Sequence, residues 1–263
     1  GAAARPGFTV EESTLGPVLR ICRALDGMPL AIELAAARLH ALSPTRVAAR
    51  LDDRFRLLAD GRRPVAGRHQ TLRAVIDWSW ELLGRPEQVL LRRLSVFAGG
   101  ATLEAAERVC AGPVPGGLTA DEVLYLLAGL VDKSLVVAAE SDDAGVRYSM
   151  LETVRAYGAE RRRDAGEDET LRRAHAGYFL ELAERAEPEL RRADQLIWLA
   201  RLSAERDNLH AALRSAVDGG DAALTLRLVA ALGWYWFLRS ARAEAAEWLG
   251  LALALPGEAA PAL

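Results

Sequence analysis

Residues 121–157, DEVLYLLAGLVDKSLVVAAESDDAGVRYSMLETVRAY, decide the fold class of this chain. Apolar residues recur at helical spacing from Leu124 to Val131, which predicts an amphipathic helix. The apolar runs 134–139 and 146–150 flank a polar, turn-forming segment, and this pattern indicates a β-hairpin with a further helix after it. A helix that leads into a hairpin within a largely helical chain predicts a winged helix.

The rest of the chain predicts helices joined by Gly- and Pro-rich breaks. Thr119 with Glu122 forms a capping box before the opening helix, and Thr102 is predicted to cap a shorter helix that ends at Cys110. Apolar spacing and breakers place the other helices at 15–25, from 29 to about 42, from Ser43-Pro44 onward, 70–83, 86–97, 170–187, 193–200, 203–218, 221–239 and 241–255. The arginine run 161–163 ends the helix after the hairpin, where positive charge complements the helix dipole without any ligand.

Composition bounds the class of protein. The chain has 263 residues, enough for two domains, and it is 51% hydrophobic and 26% charged, as is usual for a globular protein. Its net charge of −3 carries no electrostatic signature of nucleic-acid binding. Cys22 and Cys110 are isolated, so free thiols are expected. The sequence shows neither an apolar run long enough to span a membrane nor a signal peptide, so we expect a cytoplasmic protein without membrane partners.

The sequence contains no catalytic signature that we could identify. It lacks the phosphate-binding loop G-x-x-x-x-G-K-[ST], the zinc motif H-E-x-x-H and the nucleophile elbow G-x-S-x-G. The four histidines, at positions 40, 69, 175 and 210, are far apart and are expected at the surface or the edge of the core rather than as ligands. We therefore predict that the chain is not an enzyme and has neither catalytic residues nor a metal site.

Direct DNA reading by the winged helix can be tested against its own residues. A reading helix needs basic or amide side chains that face the groove. The residues that the apolar pattern leaves outside the core in the helix before the hairpin are Asp121, Glu122, Tyr125, Ala128, Gly129 and Asp132. The predicted wing tip, Asp142-Asp143, is acidic as well. We therefore expect this module not to bind DNA, and any DNA contact to be made by another domain.

Several segments together resemble one family. Gly27-Met28-Pro29-Leu30-Ala31 resembles the G-[LM]-P-L-A motif in the helical subdomain of the NB-ARC ATPases, which are signal-transducing ATPases with numerous domains. The run 91–100, LRRLSVFAGG, resembles the opening of the winged-helix subdomain that follows, and 130–137 and 147–157 resemble its end. Within that family the chain is most similar to bacterial transcriptional regulators of the Streptomyces antibiotic regulatory protein and large LuxR types, in which tetratricopeptide repeats come next.

The resemblance implies a mainly α fold in three parts. Residues 1–64 would form a small helical subdomain, residues 65–166 a winged helix with one β-hairpin, and residues 167–263 tetratricopeptide-like α-hairpin repeats. In the last helical pair, the packing positions of such a repeat correspond to Leu232, Gly233, Trp236, Ala245, Leu249 and Ala252. Trp234 and Trp248 are candidate partner contacts on this part, with core packing as the alternative.

The resemblance also implies nucleotide contacts. Pro29 would pack against adenine, with Gly27 permitting the close approach, although a helix break made by Gly and Pro explains the local sequence equally well. The family's Met-His-Asp sensor of the ADP phosphate reads Met150-Leu151-Glu152 here, and leucine has no donor for a phosphate. Arg155, one helical turn beyond Leu151, could contact a phosphate instead, with a surface ion pair as the alternative.

These expectations define a regulatory fragment. By resemblance, an ATPase core that binds ATP or ADP would lie upstream, so no cofactor is expected on this fragment alone. The winged helix would couple the nucleotide state of that core to repeats that bind a protein or small-molecule effector. The alternative is a helical scaffold for protein interaction that has no nucleotide switch.

Overall fold

The computed structural model describes six stretches of the chain, at residues 11–25, 29–40, 42–59, 67–111, 117–141 and 145–256. The chain divides into two compact units, one formed by Gly1–Gln88 with Leu126–Val137 and the other by Val89–Tyr125 with Ala138–Leu263. Helices dominate both units, which confirms the predicted mainly α class. The proposed domain boundaries at 64 and 166 stay predictions.

The first unit is a small helical assembly. Its elements are α1 (Glu12–Ala24), α2 (Pro29–Ala37), a 3-10 turn (Arg38–His40), α3 (Pro44–Ala59) and α4 (Gly67–Glu81). Helix α1 packs against α3, and α2 packs against α4, around the buried side chains of Leu25, Leu34, Val47 and Val75. The Ala-rich helix is shorter than predicted, because it gives way at Ala37 to the 3-10 turn.

The second unit contains the later helices, with α9 at its centre. The helices that follow α4 in the chain are α5 (Arg85–Leu94), α6 (Leu103–Cys110), α7 (Ala120–Asp132), α8 (Glu152–Asp164), α9 (Asp168–Glu189), α10 (Gln195–Ala204), α11 (Arg206–Asp218), α12 (Ala222–Leu238) and α13 (Arg242–Ala254). Helices α5 and α7 contribute residues to both units. Helix α9 packs against α6, α11 and α12, and α12 packs against α13.

The wing is a three-stranded sheet rather than the single hairpin predicted. Strands β1 (Ala101–Thr102), β2 (Val137–Ser141) and β3 (Gly145–Ser149) lie in the order β1-β3-β2. Strand β1 pairs antiparallel with β3, with Ala101 opposite Tyr148. Gly100 precedes β1 with a φ of 75°, and a Cβ there would lie 2.7 Å from the Tyr148 carbonyl oxygen, so this position requires glycine. The acidic turn Asp142-Asp143 lies outside the described residues.

Two details of the helix before the wing differ from prediction. The first wing strand was expected from Ser134, but Ser134 has a left-handed φ of 56°. This conformation ends α7, because the Leu135 N–H then reaches the carbonyl oxygen of Leu130 at 3.0 Å, and the strand begins only at Val137. Leu124 was placed in the apolar stripe, yet its side chain is 43% exposed, and Val123 is buried in its place.

The capping predictions are confirmed for one helix and half confirmed for the other. The Thr102 hydroxyl accepts a hydrogen bond of 3.2 Å from the Ala105 N–H, as an N-cap should. At α7 the Thr119 N–H donates to Glu122 Oε2 at 2.8 Å, which is one side of a capping box. The reciprocal bond, from the Glu122 N–H to the Thr119 hydroxyl, is not formed. The Thr119 hydroxyl instead donates to the same carboxylate at 2.9 Å, and the Glu122 N–H donates to the Thr119 carbonyl oxygen.

An aromatic cluster fills the second unit where the winged helix meets the later helices. Helix α5 ends at Leu94, short of the predicted 97, and Phe97 follows in a turn with its ring buried. The Phe97 ring lies 5.2 Å from the His175 ring and 6.3 Å from that of Phe179, both edge-on. His175 and Phe179 occupy one face of α9. The cluster joins α9 to the segment that connects α5 with β1.

The last helical pair packs only partly as a tetratricopeptide unit would. Leu232, Trp236 and Ala252 are buried, as the pattern predicts. Leu249 is 46% exposed, and a Cβ at Gly233 would meet no atom within 4 Å, so these two positions do not pack as predicted. Trp248 is buried, whereas Trp234 is half-buried and stacks on Phe237 with ring centroids 4.8 Å apart.

Candidate functional site at an arginine-rich cleft

The predicted sensor segment lies at the start of α8 in the second unit. Met150 is half-buried, whereas Leu151 is 44% exposed at the N-cap position and its side chain makes no capping bond. Glu152 is exposed and accepts two hydrogen bonds from Arg155, of 2.9 Å from Nε and 2.7 Å from Nη2. The Arg155 hydrogen bond holds the pKa of the Glu152 carboxyl below its usual value. The ion-pair alternative for Arg155 is therefore present, and the nucleotide-sensing role of the segment stays a prediction.

The other predicted nucleotide contacts lie in the first unit. Pro29 is the first residue of α2, where its missing N–H costs nothing, and its side chain is exposed. Gly27 lies outside the described residues. The helix-break interpretation of Pro29 fits this geometry, and its contact with adenine stays a prediction.

The structure places Arg155 on the wall of a cleft within the second unit. This cleft of about 550 Å³ lies between the turn after α5, helix α8 and the pair α9 and α11. Its charged and titratable lining residues are Arg155, Arg162, Arg172, Arg214, Asp207, Asp218, His175 and His210. Clefts of this size with a few polar groups hold small molecules in many proteins. We refer to this feature below as the arginine-rich cleft.

One arginine of the cleft has a role that the sequence did not predict. The run 161–163 was predicted to complement the helix dipole at the end of α8, and within it Arg162 is only 5% exposed. Its Nε donates to Asp168 Oδ1 at 2.9 Å, and its Nη1 donates to the Ser95 hydroxyl at 3.0 Å. Asp168 also pairs with Arg172, with 2.9 Å between Nε and Oδ2. One carboxylate therefore fixes two guanidinium groups on the wall of the cleft.

His175 is the most unusual group in the cleft. Its side chain is 2% exposed, and among the described residues no atom offers its Nε2 a hydrogen bond. Burial lowers the pKa of the imidazole to about 4, so the ring is neutral at physiological pH. A buried polar atom without a partner costs roughly 1–3 kcal/mol. His175 is at the same time one of the residues that line the cleft.

Helix α11 forms the opposite wall of the cleft, with an arginine that is free to bind a ligand and a histidine that is already hydrogen-bonded. The Arg214 guanidinium lies 5.4 Å from the centre of the Trp248 ring, and it has no carboxylate partner among the described residues. His210 Nε2 lies 2.6 Å from Glu244 Oε1, an oxygen that also accepts a hydrogen bond from Trp236. Arg214 is therefore the cation of this wall that remains open to a ligand.

The wing is attached to the helical hairpins by a buried polar network that the sequence did not predict. Arg147 on β3 pairs with Glu205 at the start of α11 and donates to the Gly99 carbonyl oxygen at 2.9 Å. Asn208 Nδ2 donates to the Gly100 carbonyl oxygen at 2.8 Å and to Glu205 Oε2 at 2.7 Å. The spacing of Glu205 and Asn208 could have indicated a polar helix start, but nothing in the sequence indicated their partner.

A second buried ion pair connects α5 with the start of α9. Glu167 accepts hydrogen bonds from Arg92 Nε at 2.7 Å and from Arg93 Nη2 at 2.9 Å. Arg93 is fully buried and also donates to the Cys110 carbonyl oxygen at 2.7 Å. Burial opposes the charge of Glu167, but the two arginines outweigh it and hold the pKa of the carboxyl below its usual value. The opening of the winged helix is thus fixed to the helices that follow it.

The face that would have to read DNA carries acidic and apolar groups. Asp121, Glu122 and Asp132 are exposed or half-buried, and Tyr125 is 78% exposed. Strand β2 is also exposed along its described side chains, and its only charged one is Glu140. Within the described part of this surface, α7 carries no basic side chain that could contact a phosphate. Lys133 lies just beyond the end of α7 and pairs with Glu87.

Membrane-spanning and metal-binding features are both missing from the described residues. No helix among them is both long enough and apolar enough to cross a membrane. Within the same residues, no three His, Cys, Asp or Glu side chains come together as a metal site would require. Cys110 is a buried free thiol, as expected, and burial raises its pKa to about 12, while Cys22 is free and half-buried.

Comparison with known proteins bears on the winged helix and on the whole chain. Residues 83–163 match the family described as "Winged helix-turn-helix domain". A Mycobacterium tuberculosis protein named "Putative HTH-type transcriptional regulator Rv0890c" is 44% identical over 244 residues, which are 93% of this chain and 27% of that protein. The Mycobacterium bovis protein of the same description, Mb0914c, matches equally. A third relative, "Uncharacterized protein Rv0894" of M. tuberculosis, is 42% identical over 167 residues, which are 64% of this chain and 42% of that protein.

These matches agree with the architecture. The chain spans about a quarter of the length of the two named regulators, since 27% of each is covered. The family match covers the segment from before α5 through α8, which contains the sheet and the helices around it. Residues 83–163 therefore combine the match to a winged helix-turn-helix domain with the helices and small sheet of that fold.

Proposed function

We propose that this chain is the regulatory part of a nucleotide-dependent transcription regulator, in which the winged helix transmits a signal and does not read DNA. The observation that carries the proposal is the buried network of Arg147, Glu205 and Asn208. Through this network a charged side chain of β3 holds the start of α11, so a movement of the wing would be passed to the helices that follow it.

The nucleotide part of the proposal rests on the resemblance to NB-ARC ATPases. In that scheme an upstream core binds ATP or ADP, and the winged helix moves between closed and open arrangements relative to that core. A nucleotide can shift such an equilibrium only through its different affinity for the two states. The exposed Leu151 at the N-cap of α8 is the position at which the family places a phosphate-binding histidine.

The experiment is a measurement of ADP affinity in the full-length protein with and without Leu151→His. We expect tighter ADP binding in the variant, because histidine supplies a donor that leucine lacks. Leu253→His is the matched control, since Leu253 is also exposed and lies on the last helix. An unchanged affinity in Leu151→His, or an equal gain in the control, would contradict the sensor assignment. The upstream sequence is an independent check, because the scheme requires a G-x-x-x-x-G-K-[ST] loop there.

A second candidate function is direct DNA binding by the winged helix, which the family match and the names of the relatives favour. The acidic exposed face of α7 opposes it. The test is duplex binding by this chain across a range of salt concentrations, since phosphate contacts make affinity fall steeply with salt. We expect no salt-dependent binding, and its detection would favour this candidate.

A scaffold without a nucleotide switch is the remaining alternative. It would use the helical hairpins to dock a protein, and it would need no upstream phosphate-binding loop. The absence of that loop from the full-length sequence, together with unchanged behaviour on addition of ADP, would favour the scaffold over the switch.

A further inference from the structure

The arginine-rich cleft holds polar groups that neither the fold nor the proposed switch requires. His175 is buried, and its Nε2 lacks a hydrogen-bond partner among the described residues. The ring packs between Phe97 and Phe179, so a phenylalanine could keep this packing and remove the orphaned Nε2, although it would lose the interaction of the imidazole with the Asn208 side chain. His175 is also one of the residues that line the cleft.

We propose that the arginine-rich cleft binds a phosphorylated small molecule that also carries hydroxyl groups, the chemistry of a sugar phosphate. Arg214 supplies the charge for the phosphate. It faces the cleft without a carboxylate partner among the described residues, and a guanidinium presents a planar fork of donors that matches phosphate oxygens. The Trp248 ring, 5.4 Å from the guanidinium carbon, holds that fork in place.

The other arginines of the cleft support this site to different degrees. Arg162 and Arg172 share the carboxylate of Asp168, so their charge is partly balanced and their positions are fixed. Arg155 pairs with Glu152, whose carboxylate is 75% exposed, and an exposed pair of this kind exchanges partners at little cost. A phosphate in the cleft therefore meets one open cation and a second that can turn towards it.

Two carboxylates that line the cleft determine which other groups a phosphorylated ligand must carry. Asp207 and Asp218 face the cleft, and they would repel a ligand that carried only negative charge. Hydroxyl groups donate to carboxylates, so a ligand with hydroxyls beside its phosphate satisfies both the arginine and the aspartate side chains. The neutral imidazole of His175 fits the same ligand, because it can donate to or accept from a hydroxyl or phosphate oxygen without adding charge. The volume of about 550 Å³ suits a molecule of this class.

The inference is independent of the nucleotide switch. The cleft is lined by the turn after α5 and by α8, α9 and α11 of the second unit, and it needs no upstream ATPase core. It therefore predicts binding by this chain alone, whereas the switch predicts an effect of ADP in the full-length protein. Failure of one experiment leaves the other unaffected.

The test is calorimetric titration of this chain with ribose 5-phosphate, with ribose and inorganic phosphate as separate probes. We expect ribose 5-phosphate to bind more tightly than either part, because only the whole molecule engages both the arginine and the aspartate side chains of the cleft. Arg214→Gln should weaken it about tenfold or more, the effect of losing a charge-assisted hydrogen bond. His175→Phe should weaken it severalfold while the ring packing is kept.

Arg242→Gln is the matched control, because it removes the same charge from an exposed position outside the cleft lining. It should leave the affinity unchanged. Arg214→Lys keeps the positive charge but lacks the planar set of guanidinium donors, and it should bind ribose 5-phosphate with intermediate affinity. This variant keeps the test informative if Arg214→Gln fails to fold. Three results would overturn the proposal: no binding at millimolar ribose 5-phosphate, equal loss in Arg242→Gln and Arg214→Gln, or ribose binding as tightly as ribose 5-phosphate.

Discussion

His175→Phe should stabilise the protein and flatten the acid side of its stability profile. The imidazole is 2% exposed, packed between aromatic rings and left with an orphaned Nε2 among the described residues. Phenylalanine has nearly the same ring dimensions and no polar atom to bury. At neutral pH the substitution should therefore raise the free energy of unfolding by about 1 kcal/mol, the lower end of the cost of an unsatisfied buried group.

The pH dependence gives the sharper test, and its sign follows from linkage. Burial lowers the pKa of His175 from an ordinary value of 6.5 to about 4. Between these two values the unfolded chain binds a proton at this position that the folded protein does not, so stability rises with pH across that window. The depressed pKa thus costs nothing above pH 6.5 and destabilises the protein progressively below it. At pH 5 the difference amounts to about 2 kcal/mol, since each pKa unit corresponds to about 1.4 kcal/mol.

Urea denaturation at pH 5 and pH 7.5 measures this difference directly. Wild type should lose about 2 kcal/mol more than His175→Phe on going from the higher to the lower pH. Tyr178→Phe is the control, because Tyr178 is the buried neighbour of the same cluster and burial raises its pKa further from this range. Parallel profiles for wild type and His175→Phe would refute the reasoning, since they would mean that His175 takes up its proton equally in the folded and unfolded states.

Three further predictions concern the wing and its attachments. Arg147→Met should lower the free energy of unfolding by about 3 kcal/mol in urea denaturation, because it leaves the buried carboxylate of Glu205 without its ion-pair partner. Arg173→Met is the control, because Arg173 forms an exposed ion pair, and its loss should change the free energy of unfolding by no more than about 0.5 kcal/mol. Gly100→Ala should lower the melting temperature for two reasons: the new Cβ would lie 2.7 Å from a backbone oxygen, and alanine rarely adopts the positive φ of this residue. An unchanged melting temperature would contradict the left-handed turn at this position. The depressed pKa of Glu167 contributes stability above pH 4.5 that disappears as the pH falls below it, so Glu167→Gln should reduce the acid sensitivity of unfolding in that range; an identical acid profile would show that the pair is not formed.

The helices could be predicted from the sequence because their signal is local. Apolar spacing placed one helix at 221–239, and α12 spans Ala222–Leu238. The same reasoning placed the helix that follows at 241–255, against Arg242–Ala254 for α13. Thr102 capped α6 as predicted, because a capping bond joins residues three apart in sequence. Each of these features depends on neighbours within a few positions.

The sheet and the surface of the wing depended on distant partners and were predicted less well. Strand β1 is two residues long, too short to show a period of two, and it exists because β3 pairs with it about 45 residues later. Ser134 belongs to a β-branched, apolar stretch, yet the left-handed conformation that ends α7 takes it out of the strand. Leu124 fits the helical stripe, but its exposure is decided by what packs on α7, which spacing alone does not specify.

The candidate site could be predicted only at one residue. Arg155 was singled out from its position one turn after Leu151, and it does line the arginine-rich cleft. Arg162 was interpreted only as part of a basic run that complements the helix dipole, and the return of α9 beside α8 brings Asp168 to it and buries it. His175 and Arg214 lie on different helices, so no motif could have joined them.

The buried ion pairs explain why this cleft has a defined shape. Burying Arg93 and Glu205 is expensive, and hydrophobic side chains of similar volume could stabilise the same contacts at least as well. Ion pairs with several hydrogen bonds are directional, however, so they fix the wing and α5 against α9 and α11 in one arrangement. The arginine-rich cleft takes its walls from both of these sides. A ligand that contacts both walls gains its full affinity only when that arrangement is kept, and through this difference in affinity it can favour one conformational state of the regulator over another.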